Sequence, residues 1–202
     1  MSSPLAQPVL AAHGRHALWL ARHAQPLVAP GLCYGASDVP ACPDATQQAA
    51  LALAQALPPC LTVLSSPLQR CTLLAHALLG LRPDLTLTLD PRLAEMDFGT
   101  WEGRRWDDIG AGEFQSWMRD FADHAPGGGE SVAAFMQRVA QAWDSAGQAP
   151  ALWLTHAGVI RAVQLIANGQ RRISQASEWP QTPVEFGQWL VLQPSQKPAP
   201  GT

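Results

Sequence analysis

The stretch Ala17-Leu18-Trp19-Leu20-Ala21-Arg22-His23 decides the reading, because five apolar residues run unbroken into an arginine and a histidine. A short continuous apolar run fits a strand covered on both faces, since both sides of its pleat then meet side chains. The same pattern recurs outward from it. Leu61-Thr62-Val63-Leu64-Ser65 leads into Ser66-Pro67, and Ala151-Leu152-Trp153-Leu154-Thr155 leads into His156. Leu85 to Leu89 and Phe186 to Leu192 supply two more strands.

Helical stretches separate these runs. Asp44 to Leu57 is rich in alanine and leucine and ends at Pro58-Pro59. Leu68 to Leu79 starts after Ser66-Pro67 and is expected to stop at Gly80. Ser131 to Ala146 sets Val132, Phe135, Met136, Val139 and Trp143 on one face, and Val159 to Ala167 follows the 151–155 strand. Strands alternating with helices predict an α/β fold, a three-layer sandwich whose mostly parallel central sheet is flanked by helices.

A chain of 202 residues suits one domain, which we set at 17–192, with 1–16 a loose N-terminal segment and 193–202 a proline-rich tail. The formal charge of −3 gives no broad attraction for nucleic acid or an anionic membrane, so any bound anion must be caught by a local cluster. Lys197 is the only lysine, and such a cluster would therefore be built from arginine, whose planar fork matches phosphate. No apolar run approaches the roughly 20 residues of a membrane span, and the first residues lack a signal-peptide pattern. Cys33, Cys42, Cys60 and Cys71 show no metal-finger spacing and read as free thiols of a cytoplasmic protein. A homodimer would be ordinary for this size.

In parallel sheets ligands bind beyond the carboxyl ends of the strands. Arg22-His23, Ser65 to Arg70, and Thr155-His156 fall at three such ends. Gathering two histidines and two arginines there without an anion would leave like charges facing one another, and a phosphate removes that conflict. His13, His16, His76 and His124 lie outside these groups and read as structural or surface residues.

Five stretches then match known motifs in order. Ala21-Arg22-His23-Ala24, Ser65-Ser66-Pro67-Leu68-Gln69-Arg70-Cys71, the acid-bearing stretch Leu93 to Gly103, Gly128-Gly129-Glu130-Ser131, and Thr155 to Arg161 together resemble the histidine phosphatase superfamily. That resemblance implies a phosphoglycerate mutase-like fold and a phosphohistidine mechanism without metal or cofactor. It assigns His23 as nucleophile, Arg22, Arg70 and His156 as holders of the phosphoryl group, and Glu95 as proton donor, with Asp97 and Glu102 as nearby rivals. Glu102 reads by itself as an acid on a solvated loop or helix start. Ala24 stands where the family usually has glycine, an expectation of a slightly shifted phosphate loop, and Pro26 where many members have a hydroxyl residue, an expectation of one phosphate donor and one backbone N–H fewer.

Within the family, Phe98 to Gly103 and the stretch Trp117 to Ser131 look most like the α-ribazole phosphatase branch, a resemblance that implies a small phosphorylated metabolite with a heterocyclic leaving group as substrate. Trp101, Trp106 or Trp117 would then line its pocket. Three other readings stay open: a phosphoglycerate mutase-type phosphotransferase, for which no lid segment is evident; a catalytically silent relative that binds a phosphorylated ligand or partner; and a phosphosugar- or protein-directed regulatory phosphatase.

Overall fold

The computed structural model describes residues 9–12, 17–147 and 149–194. His13 and His16, and the remainder of both terminal segments, lie outside these residues. The described strands are β1 (Val9–Ala12), β2 (Leu18–Arg22), β3 (Thr62–Ser65), β4 (Thr86–Leu89), β5 (Ala151–Thr155) and β6 (Trp189–Pro194). They form a six-stranded sheet in the order β1-β6-β2-β5-β3-β4. Every pairing is parallel except that of β6 with β2.

Alternation along the strands divides the core in two. On β5, Trp153 points into a cluster with Phe135, Met136 and Val163, while Leu152 and Leu154 join Val63, Leu74 and Leu53 on the opposite face. Helices α1 (Pro43–Ala56) and α2 (Gln69–Leu81) cover the second face, and α4 (Val132–Ser145) and α5 (Ala157–Ala167) cover the first; α3 (Ala111–Arg119) lies between them in the chain. This is the expected three-layer α/β arrangement. Both faces are dry, so an uninterrupted apolar strand is the physical requirement rather than an alternating one.

Register carries the site. Arg22 pairs with Thr155 and Ser65 with Leu154, so β2, β5 and β3 end abreast and His23, His156 and Ser66 leave the sheet at one edge. The main chain fixes this, as His23 N–H donates to Thr155 O at 3.0 Å and Ser66 N–H to Leu154 O at 2.9 Å.

Three sequence expectations need correction. Residues 9–12, assigned to a loose segment, form the edge strand β1, held by parallel pairing with β6 and not by a side-chain pattern legible beforehand. The last strand begins at Trp189 rather than Phe186, because Gly187 (φ 71°) turns the chain there. Gly80 does not end α2, which runs on to Leu81. The helix α3 has no counterpart among the expected elements; its first turn holds Gly112 and it spans only nine residues. Among the described residues no helix is long and apolar enough to cross a membrane, and all four cysteines are unbridged.

Candidate active site

A cavity of about 520 Å3 opens over the shared strand edge, in the size range of small-molecule sites. One end is polar, lined by Arg22, His23, Tyr34, Arg70, Glu95 and Arg161. Three arginines face one carboxylate there, giving a local positive centre in a chain of net negative charge. The other end is apolar, with Phe98, Trp106, Trp117, Phe121, Phe135 and Trp179 among its walls.

His23 follows directly on β2 and is buried. Its Nδ1 lies 2.7 Å from the carbonyl of Ala24. A carbonyl only accepts, so Nδ1 carries the proton and Nε2 keeps its lone pair. Burial, with the neighbouring Arg70 charge, pushes its pKa down to about 3, despite the opposing hydrogen bond to Ala24. The ring is therefore neutral at physiological pH, with one orientation and one free nitrogen. Ala24 meets this role without strain: its carbonyl is the acceptor, it is buried, and Cys60 is the one non-glycine residue with positive φ among those described. The shift expected from replacing glycine has no backbone cause here. Pro26 forms an isolated bridge with Ala41 and does not line the cavity.

The guanidinium of Arg70 is wholly buried at the start of α2. Its Nη1 donates to Ser37 O at 2.7 Å and its Nη2 to Gly35 O at 2.6 Å, while Nε donates to His156 Nδ1 at 3.3 Å. Arg22 lies 3.6 Å over the Phe186 ring and donates to Val184 O at 2.5 Å. The Nε groups of Arg22 and Arg161 are buried without a partner among the described residues. Buried donors left unpaired cost free energy that an acceptor entering the cavity would recover. Sequence alone leaves Arg161 undecided between phosphate and solvent; the fold turns it into the cavity from α5.

His156 stands elsewhere than expected. It is fully buried, is not part of the cavity wall, and packs its ring 5.1 Å from that of His23. Nδ1 accepts from Arg70 and Nε2 lies 2.8 Å from Ser66 Oγ, so neither nitrogen is free for a ligand in this arrangement. Burial and the charges of its neighbours hold its pKa well below the usual imidazole value. His156 backs Arg70 and His23 rather than standing beside them.

The three acids separate cleanly. Glu95 lines the cavity, with its carboxylate accepting from Gly158 N–H at the first turn of α5 (3.1 Å) and from Met96 N–H (3.1 Å). A Cβ at position 158 would sit 2.2 Å from Glu95 Oε1, so glycine is what allows this approach. Asp97 is exposed and caps its own turn by accepting from Gly99 N–H at 2.7 Å. Glu102 is not a solvated loop acid: it accepts from the N–H groups of Ala36, Ser37 and Phe98 and from the Ser37 hydroxyl. The Glu95 main chain is held in turn by Arg138, which donates to the carbonyls of Arg92, Ala94 and Glu95 and pairs with Glu130 at 2.7 Å. Sequence reading singles out neither Arg138 nor Glu130 as functional; the only trace is Glu130 in the Gly128 to Ser131 motif.

Among the tryptophans, Trp106 and Trp117 line the cavity. Trp101 does not. It is buried beneath them, packs edge-on against Trp106 and Trp117, and donates its ring N–H to Glu113 at 2.9 Å. Spacing along a loop shows which residues are aromatic, but not which ones face inward.

A parallel-sheet domain with an arginine-flanked neutral histidine at its strand edge defines the class, and the sequence pattern of the histidine phosphatase superfamily (branch 1) matches residues 18–191. The chain belongs to that superfamily. Among solved structures it is similar to TTHB049 of Thermus thermophilus, at 32% identity with 87% of this chain and 92% of that one covered and a TM-score of 0.66. It is also similar to a phosphoglycerate mutase of the same organism, at 35% identity, 73% and 81% coverage and a TM-score of 0.61. A mycobacterial glucosyl-3-phosphoglycerate phosphatase solved with VO3 shares the fold at 24% identity, 87% and 90% coverage and a TM-score of 0.66. No curated protein matches the chain.

Proposed function

We propose that the protein is a metal-independent phosphomonoester hydrolase working through a phosphohistidine at His23. The observation that carries this is the Nδ1–H bond to Ala24, which leaves a neutral Nε2 bare at a cavity end lined with arginines. In the first step Nε2 bonds to phosphorus while the bond to the alcohol oxygen breaks, and Glu95 gives that oxygen a proton. In the second step water attacks phosphorus, Glu95 takes its proton, the N–P bond breaks and inorganic phosphate leaves. Arg22 and Arg70 supply the positive charge that the transferring oxygens need, so no metal is required for that purpose. His156 orients Arg70 and backs the His23 ring, and contacts phosphate only after exchanging a protein partner for it.

For the leaving group, the aromatic far end favours a planar, apolar moiety over a second anion, because aromatic faces stack on heterocycles and cannot solvate charge. This supports α-ribazole 5′-phosphate as substrate. It weighs against phosphoglycerate, small and polyanionic, although one similar structure is a phosphoglycerate mutase. The test is hydrolysis of p-nitrophenyl phosphate with chelator present, followed by a panel containing α-ribazole 5′-phosphate and 3-phosphoglycerate. Chelator-resistant turnover with strong preference for the heterocyclic ester is expected. Loss of turnover on chelation would remove the mechanism, and equal rates across the panel would remove the specificity.

A further inference from the structure

Arg70 is held by main-chain carbonyls and by His156, and none of the ion pairs among the described residues includes it. Its placement is thus only as good as the placement of the 35–37 segment that supplies those carbonyls. That segment spans no regular element. What anchors it is Glu102. Oε1 accepts from Ala36 N–H at 2.8 Å and from Phe98 N–H at 3.0 Å; Oε2 accepts from Ser37 N–H at 2.6 Å and from the Ser37 hydroxyl.

The same carboxylate therefore grips two segments at once. The Ala36 N–H shares a peptide unit with the Gly35 carbonyl, Ser37 carries the other carbonyl that holds Arg70, and Phe98 lies three residues after Glu95. The two segments touch without slack: a Cβ on Gly35 would lie 2.0 Å from Met96 O and 2.9 Å from Glu102 Oε1. Burial pushes the Glu102 pKa up, but the hydrogen bonds from Ser37, Phe98 and Ala36 outweigh it and hold the pKa below the usual carboxylate value. The group is thus an anion with four donors, the form in which such a clamp is strongest.

We propose that Glu102 is a positioning residue that sets the phosphate-holding Arg70 and the proton donor Glu95 in register through its grip on Ala36, Ser37 and Phe98. The proposal rests on the phosphatase reading above. Glu102 itself does not line the cavity and touches no reacting atom. A displacement of the order of 1 Å in either partner costs up to roughly 100-fold in rate, so a clamp of this kind is visible in kinetics.

The experiment compares the full chain with Glu102→Gln, which keeps size and shape but replaces one acceptor oxygen by a donor facing N–H groups. Inhibition by inorganic vanadate reads the Arg70 end. Turnover of an alkyl phosphate relative to p-nitrophenyl phosphate reads the Glu95 end, since only the alkyl leaving group needs a proton. Glu102→Gln is expected to weaken vanadate about tenfold and to lower the alkyl-to-aryl ratio about fivefold, within the cost of a misplaced catalytic group. Both are read on the folded fraction, so loss of stability alone moves neither. In an Arg70→Lys background the vanadate effect of Glu102→Gln should shrink to under about twofold, because coupled residues are not additive. An unchanged vanadate constant and ratio, or equal losses in both backgrounds, would overturn the proposal and leave Glu102 a loop staple. If Arg70→Lys does not fold, Ser37→Ala serves as the second variant: it removes one donor to Glu102 and should shift both readouts in the same direction by about twofold, and no shift would overturn the clamp. A wild-type chain that neither turns over nor binds vanadate would instead overturn the phosphatase reading, before any variant is compared.

Discussion

The two ends of the cavity are built by different physics. At the polar end four side chains are held by hydrogen bonds to backbone: His23 to Ala24, Arg22 to Val184, Arg70 to Gly35 and Ser37, and Glu95 to Gly158. At the far end the walls are aromatic rings in edge-on or stacked contact, such as Phe98 on Trp106 and Trp117 on Phe121. That end also thins toward solvent, where Trp106 is 36% and Phe114 40% exposed. Directional bonds fix an atom to a few tenths of an ångström; apolar packing fixes volume and tolerates exchange. One end is therefore suited to chemistry and the other to choosing what the chemistry acts on.

The sharpest way to break this division is His23→Ala. Turnover should fall by about 10⁴-fold or more, the scale on which loss of a nucleophile acts. Binding of an aromatic phosphomonoester, measured by quenching of the cavity tryptophans, should stay within about tenfold. If binding is lost along with turnover, the two ends are not separable.

Next comes Glu95→Gln. Hydrolysis of alkyl phosphates should drop about 10²- to 10³-fold, with a much smaller loss for p-nitrophenyl phosphate, whose leaving group needs no proton. Equal losses on both would move the proton donor elsewhere.

A third test uses pH. His23 and His156 both have folded-state pKa values below the ordinary value, by burial in each case, whereas the unfolded chain protonates near 6.5. Their contribution to stability is thus present above about pH 6.5 and lost as pH falls, by about 1.4 kcal/mol per pH unit for each ring until its folded pKa is reached. Urea midpoints should decline between pH 6.5 and 5, and NMR should show the His23 ring neutral throughout that range. Midpoints independent of pH, or a His23 titration near 6, would show that the phosphate end is wetter than its burial implies.

The smallest effect should come from Trp106→Ala. KM for a substrate with an aromatic leaving group should rise about three- to tenfold with kcat unchanged, as for loss of binding shared by ground and transition states. Inhibition by vanadate should not move. A fall in kcat would mean that the aromatic wall also positions the reacting phosphorus.

Legibility in the sequence follows the same division. Arg22, His23, Arg70 and Glu95 can be read because each sits at a fixed offset from a strand end or a motif, and parallel strands deliver their ends to one edge. Trp101 escapes such a reading because a run of 3-10 turns and loops has no period from which to infer a face. Glu102 looks like a solvated acid in the sequence because its partners Ala36 and Ser37 lie more than sixty residues earlier in the chain. His156 is correctly expected at the strand edge, but its orientation depends on Arg70 and Ser66, both from a different crossover.

The order of the strands and helices other than β1 and α3, the arginine-rich edge and the superfamily are already present in the linear chain, since apolar runs, breakers and short motifs are local properties. Four things are settled by folding instead: which nitrogen of His23 is free, that Glu102 ties two loops together, which tryptophans line the cavity, and that residues 9–12 extend the sheet at its edge. Most of these depend on a partner distant in sequence, and a side chain's direction is settled by what it meets.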